Sequence, residues 1–293
     1  MQPINGVIAF LWSPDCVAAV QGFFGPGWLP FFLGLTQLGT LQFALAATAL
    51  LLWFRGKEAA YLTLGTAAIA LASALLLKQL LFVPRPHGPE VIAYVRLHDS
   101  SFPSGHAATA AALWGALALW VGFPLLMAAG VTLGVLLSRL YLGVHYLGDV
   151  LVGALLALAL LTAVHRMYPW LRPALTNRPA WQYGLLLAIG SVIWGVLVAP
   201  RSGEWDIMAG MVGLAVAVPL EARCVRYAPL RLSWRWQLLK AALGLGVLAV
   251  LVGVGAFLGG ANTPLSFGAY WASALWVIVL APALFRRLEA GAQ

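Results

Sequence analysis

Charge is scarce in this chain. Asp, Glu, Lys and Arg make up 9% of its 293 residues, against 62% hydrophobic residues and a mean hydropathy of +0.91. An ordinary soluble domain carries about a quarter of its residues charged, so a water-facing globule is excluded. Nine acidic residues against seventeen Lys and Arg leave a net charge of +8. The basic residues are scattered between apolar runs, with no basic segment interleaved with aromatics, which excludes a nucleic-acid surface. The two cysteines, Cys16 and Cys224, are too few for a disulfide framework and lack metal-ligand spacing. They read as small apolar residues. No Lys or Arg precedes Arg55, so the charged start of a secretory leader is missing. Neither Asn177-Arg178-Pro179 nor Asn262-Thr263-Pro264 is a glycosylation acceptor, which is compatible with a bacterial or archaeal plasma membrane.

What the chain has in abundance is long apolar runs, and these predict an all-α polytopic membrane protein of about nine transmembrane helices. The first segment, 1–36, is broken by Pro14, Asp15 and Gly25-Pro26-Gly27 and reads as interfacial or half-inserted. Spans follow at 37–54, at 60–83 and, after an irregular polar segment, at 104–121. The next runs from the Gly122-Phe123-Pro124 turn to 142, then another covers 146–164. A basic loop with Arg166, Arg172 and Arg178 separates these from four more spans, at 181–199, 207–220, 237–258 and 269–285. The expected divisions are the N-terminal segment 1–36, a core 37–165, and a four-helix membrane extension 166–293. With the N-terminus outside and the C-terminus cytoplasmic, this layout puts twelve of the seventeen Lys and Arg inside.

Residues 78–149 concentrate the chemistry. Lys78 ends one outward helix, Arg85-Pro86 follows it, and Pro103-Ser104-Gly105-His106 begins an inward helix. Ser138-Arg139 closes another outward helix, and His145 and Asp149 open the next. All of them therefore gather at one membrane face. His145 and Asp149 are four apart, so they share a helical face, and the carboxylate can hold one imidazole nitrogen while the other points away. Taken alone, that pair is also what a structural hydrogen bond looks like. Ser104-Gly105-His106 at a helix start offers unpaired N–H groups and the positive dipole end, an anion site, though taken alone a simple Ser104 cap is the favoured reading. Lys78, Arg85 and Arg139 are either snorkelling anchors or a phosphate cradle.

Lys-(six residues)-Arg-Pro, Pro-Ser-Gly-His and Ser-Arg-(five residues)-His-(three residues)-Asp, in this order, resemble the three-part signature of the type 2 phosphatidic acid phosphatase superfamily, related to vanadium haloperoxidases. No motif position departs from the pattern. The resemblance implies a metal-independent, cofactor-free histidine phosphatase in which His145 attacks phosphorus, Asp149 orients it, and His106 acts as acid and then base. Lys78, Arg85, Ser104, Gly105 and Arg139 would hold the phosphoryl oxygens.

Within 87–102, Glu90, Tyr94, Arg96, His98 and Asp99 are candidates for the substrate entrance, with a solvated loop as the alternative. Trp114, Tyr141 and Tyr146 read as packing or interfacial residues. The extension shows no comparable cluster. Gly255 and Gly259 give it one close-packing spacing, and Glu204 and Asp206 flank its short second span. The expected activity is hydrolysis of a lipid phosphate or pyrophosphate presented from the bilayer at the extracytoplasmic face. Transfer to another acceptor, hydrolysis of a sugar phosphate, and lipid transport or scrambling are the alternatives.

Overall fold

The structure is a computed structural model that describes residues 6, 9–202, 205–230, 233–255 and 263–290. Glu204, Gly259 and Asn262 lie outside the described residues, as does Arg231 among the cations counted inside. Every regular element among the described residues is helical.

The chain divides into two compact units. One comprises Met1–Ala47 and Tyr61–Pro169, and the other Thr48–Ala60 and Trp170–Gln293. In the first unit, Pro14 and Asp15 start α1 (Asp15–Phe24), and Gly25 at φ +70 stops it. A turn at Pro26–Trp28 leads into α2 (Leu29–Gln37), and the two helices meet at 85°. The interruption expected in 1–36 is thus a sharp bend at Gly25-Pro26-Gly27. Next come α3 (Leu41–Phe54), α4 (Lys57–Leu80), α5 (Gly105–Val121), α6 (Leu125–Tyr141) and α7 (Leu147–Thr176).

All nine expected spans are helices, but they are unequal. Six of the described helices are long and apolar enough to cross a membrane, or seven if the bent α1–α2 pair counts as one. α3, α5 and α6 are shorter, at 10–17 residues. At 1.5 Å per residue even 17 residues reach only about 25 Å, against a hydrocarbon core of about 30 Å. α4 keeps the expected 24 residues but runs three residues earlier, at Lys57–Leu80. α4 stops at Leu80 rather than at 83 because Pro84 and Pro86 deny it further turns. The Val83 N–H is instead taken by Ser100 Oγ, and the Val83 carbonyl accepts from Ser101 N. α7 departs the other way: the loop expected after 164 is a continuation of the helix to Thr176. Its 30 residues exceed a membrane's thickness, so its arginine-bearing end need not lie in hydrocarbon.

The core of the first unit is built on alanine. α5 opens Gly-His-Ala-Ala-Thr-Ala-Ala-Ala, and residues 107–114 are all buried. Small side chains let neighbouring backbones approach. A Cβ on Gly39 would meet the His106 carbonyl at 2.9 Å, and one on Gly153 would meet the Ser104 carbonyl at 2.6 Å. Gln21 of α1 ties three segments together: its Nε2 donates to the carbonyls of Ile92 and Tyr141, and its Oε1 accepts from Ile92 N. Tyr141 stacks on Phe32 and on Tyr94, and Trp114 packs against Phe43 and Phe123, so these aromatics are packing residues. Tyr146 is buried in the turn before α7.

The second unit holds α8 (Ala180–Leu197), α9 (Trp205–Val225), α10 (Trp234–Gly253) and α11 (Pro264–Ala290). Glycines again admit close contacts: a Cβ on Gly184 would strike the Ala215 carbonyl at 2.5 Å, and one on Gly255 would sit 3.0 Å from Ala269 Cβ. This unit has a polar centre that the sequence did not reveal. Lys240, 2% exposed, donates to Glu289 Oε1 at 2.5 Å, to the Tyr227 hydroxyl at 2.9 Å and to the Trp53 carbonyl at 3.1 Å. Lys240 therefore serves packing rather than loop topology, since a buried ammonium needs all three of its protons taken. Cys16 and Cys224 are free thiols.

Gly143 sits at φ +71, and a Cβ there would lie 2.3 Å from the Ile92 carbonyl. Gly122 has φ +79 with open space around it. The left-handed backbone alone costs a side chain about 1–2 kcal/mol. Gly143→Ala is therefore expected to lower the unfolding temperature in detergent clearly more than Gly122→Ala; equal losses would contradict the close approach of 92 to 143.

Candidate active site

The signature residues all lie in the first unit, and each is placed by a local cause. Lys78 is on the last turn of α4. Ser104 caps α5, its backbone extended and its Oγ accepting from Ala107 N at 3.4 Å, so the cap reading holds as geometry. That leaves its own hydroxyl proton for another acceptor. Gly105 and His106 form the first turn. Arg139 ends α6, and His145 lies in the turn before α7. Asp149 sits in the first turn of α7, where its Oδ2 accepts from Tyr146 N at 2.8 Å, one half of a capping box.

These groups converge. The positive charges of Arg139, Lys78 and Arg85 all bear on His106 and on His145, and His145 also bears on His106. Arg139 is 4% exposed, with one guanidinium nitrogen 2.8 Å from Thr36 Oγ1 and a buried Nε that has no hydrogen-bond partner among the described residues. A buried guanidinium donor without a partner needs an acceptor, which an anion can supply. His145 Nδ1 faces Asp149 Oδ2 at 3.5 Å, an ion-pair separation too long to count as a hydrogen bond, and Nδ1 is otherwise unpartnered. Catalytic contacts are commonly this loose before substrate binds.

Arg85 is the most connected cation. It donates to the Val144 carbonyl at 2.6 Å, to the Asp99 carbonyl at 3.2 Å and to Asp99 Oδ1 at 2.5 Å. Lys78 Nζ binds the other Asp99 oxygen at 3.1 Å and also the Ser100 carbonyl. Of the five entrance candidates, only Asp99 thus enters the cation cluster. Tyr94 is stacked on Tyr141, and its N–H goes to the Leu142 carbonyl. Glu90, Arg96 and His98 are exposed on the 87–99 loop. Two contributors had no signal in the motif: Trp12, whose Nε1 donates to Asp149 Oδ1 at 3.0 Å, and Ser101, whose hydroxyl donates to Asp149 Oδ2. Ser101 could have been suspected from its place two residues before the Pro103-Ser104-Gly105-His106 run. Trp12, 137 positions from its partner, could not.

The PAP2 superfamily model matches residues 58–173, which contain every signature residue. A second model, the PAP2 superfamily phosphatase transmembrane extension, matches 205–293. Together they cover well over half of the chain. The chain belongs to the PAP2 superfamily. It is accordingly an integral membrane protein with a phosphatase-type function. No curated protein and no solved structure gives a significant match to this PAP2 chain. Trp12 and Thr36 both fall outside the two matched regions of the PAP2 models.

Burial raises the proton affinity of Asp99, but the charges and hydrogen bonds of Lys78 and Arg85 outweigh it and hold the carboxyl below its usual value. A depressed folded-state pKa contributes stability above the unfolded value, about 3.9, and loses it as the pH falls through the folded one. Asp99→Asn is therefore expected to unfold at a lower temperature than the parent at pH 7, with the gap closing below about pH 4. A gap that stays constant down to pH 2.5 would show that Asp99 does not hold the two cations in solution.

Proposed function

We propose that this PAP2 protein hydrolyses a lipid phosphate or pyrophosphate monoester, at the extracytoplasmic face, through a phosphohistidine on His145. The observation that carries the reading is the buried Arg139 guanidinium with its unpaired Nε, in the same charge cluster as Lys78, Arg85 and two histidines. A phosphoryl group supplies the negative charge and the several acceptor oxygens that such a cluster lacks.

In this mechanism Asp149 faces His145 Nδ1, which leaves Nε2 to attack phosphorus. The N–P bond forms as the P–O bond breaks, and the electron pair goes to the leaving oxygen, which His106 protonates. Water then attacks phosphorus, giving its proton to His106, and the P–N bond returns its electrons to the imidazole. Lys78, Arg85, Arg139, the Ser104 hydroxyl and the Gly105 N–H hold the equatorial oxygens while charge moves between attacking and leaving atoms. Phosphate monoesters are among the slowest compounds to hydrolyse unaided, with enzymes accelerating them by up to about 10²¹-fold, which accounts for so dense an electrostatic cradle. No step calls for a metal.

A lipid is favoured over a soluble phosphate by a cleft of about 390 Å³ lined by Trp12, Leu80, Leu81, Phe82, Val83 and Phe102. Its wall is apolar, Leu80 and Phe82 are more than three-quarters exposed, and Trp12 connects it directly to Asp149. The extracytoplasmic placement follows from the distribution of Lys and Arg. The core–extension division, 37–165 and 166–293, fits a catalytic part with an appended membrane part, and the oriented α5 and α7 starts belong to the former.

Purified protein in detergent is expected to release inorganic phosphate from phosphatidate or a polyprenyl pyrophosphate faster than from glucose 6-phosphate. Vanadate should inhibit it and EDTA should not, and His145→Ala should lose activity at least 10³-fold while remaining folded. Full activity in His145→Ala would overturn the phosphohistidine, preference for the sugar phosphate would overturn the lipid substrate, and loss of activity in EDTA would overturn metal independence. Phosphate appearing on an added acceptor instead of in solution would make the protein a transferase, and lipid flux in proteoliposomes without phosphate release would make it a transporter.

A further inference from the structure

We infer that Trp12 and Ser101 are positioning residues for the reaction: one from each side, they fix the Asp149 carboxylate against His145, and the segment before α1 thereby completes the active site. The inference rests on the reading above, in which Asp149 orients His145. It concerns residues that the signature does not contain, one of them outside the matched regions altogether.

The Asp149 side chain is fully buried. Such a carboxylate holds its charge and its orientation only if its oxygens are supplied with donors. Oδ1 receives the Trp12 indole N–H at 3.0 Å. Oδ2 receives the Tyr146 N–H at 2.8 Å and the Ser101 hydroxyl, and it also faces His145 Nδ1. The Tyr146 bond is local, within one helical turn, and would form on any such helix start. The other two are not. Ser101, itself fully buried, reaches from the segment before α5, with its own N–H fixed on the Val83 carbonyl. Trp12 reaches from the other end of the sequence.

The seat of Trp12 is built for it. A Cβ on Gly148 would lie 2.6 Å from the six-membered ring of the indole, so any larger residue there would push the ring away. On the cleft side the indole packs against Phe102 at 6.1 Å between ring centres. The N–H therefore has little freedom, and it points at the one oxygen of Asp149 that no other described donor serves. With Oδ1 occupied by indole and Oδ2 by Ser101 and Tyr146, the carboxylate is locked against rotation, and the remaining approach to Oδ2 is that of His145. The charged and titratable groups around the pair are Arg139, Arg85, Lys78 and His106, with the Tyr146 ring close to Asp149.

Removing a donor from Asp149 has a signed consequence. With less of its charge neutralised by the indole or the hydroxyl, the carboxylate attracts the His145 proton more strongly. His145 must be neutral at Nε2 to attack, so the acid limb of kcat/KM moves to higher pH. The experiment measures phosphate release from phosphatidate in mixed micelles for the full chain, Trp12→Phe, Ser101→Ala and His145→Ala, each across pH, together with the vanadate inhibition constant. Ser101→Ala removes only a hydroxyl, whereas Trp12→Phe keeps an aromatic ring but loses the N–H together with part of the indole that fills the seat on Gly148, so the vanadate constant is read for both. Each of the two positioning variants is expected to lose about tenfold or more in kcat, to shift its acid limb upward, and to keep KM and the vanadate constant within about twofold. Parental kcat and pH profile in Trp12→Phe and Ser101→Ala, with His145→Ala inactive, would overturn this inference and leave the proposed function standing. So would vanadate affinity falling in step with kcat, since that marks a collapsed cradle. Full activity in His145→Ala would instead overturn the proposed function on which it rests.

Discussion

Arg85 is the contact on which the irregular half of the candidate active site depends. Two stretches of non-helical backbone meet there, 81–104 and the turn leading to His145, and neither has a ladder of its own to hold it. One guanidinium spans both, donating to the Val144 carbonyl on one side and to Asp99 on the other. In a membrane protein, exposed carbonyls and N–H groups at helix ends are tolerable only where protein or water satisfies them. The cation assigned to the proposed phosphate cradle is thus also the one that ties the two stretches together. Asp99 extends the arrangement to Lys78, so two cations that would repel each other are held side by side by the two oxygens of one carboxylate.

The same rule of satisfied polar groups organises the second unit, with a different outcome. Lys240, Glu289, Tyr227 and the Trp53 carbonyl form a closed set in which each proton of the ammonium has its acceptor. Such a cluster has nothing left to offer a ligand. Arg139, by contrast, has a buried Nε without a hydrogen-bond partner among the described residues. The Lys240 cluster is closed and the Arg139 guanidinium is not, though both begin as a cation buried among apolar side chains.

How much of this was readable beforehand depended on sequence separation. Apolar runs ended by Pro84, by Gly122-Phe123-Pro124 or by charged residues announced helices, because leaving hydrocarbon requires either a charge or a break. The pairs His145 with Asp149 and Ser104 with Ala107 were legible because helical geometry relates residues three or four apart. Residues 81–83 misled: apolar enough to extend α4, they leave it because Ser100 and Ser101 offer their backbone better partners. The continuation of α7 through Pro169 was hidden by the arginines around it, which read as loop. Lys240, near the start of the expected span 237–258, gave no sign of its partners.

The sequence by itself determined the membrane class and the order of the helices, since these follow from composition and from where apolar runs break; the candidate reacting groups came from the resemblance of its three-part signature. Tertiary structure alone decided which partners those groups have. Trp12 reaching Asp149, Thr36 reaching Arg139 and Gln21 joining Ile92 to Tyr141 are contacts across 71 to 137 positions. Hydrogen bonds of that kind are set by where packed helices bring distant atoms together, and glycines such as Gly148 and Gly39 allow that approach. No local pattern encodes them, because the chain between has many ways to run and only the packed core selects one.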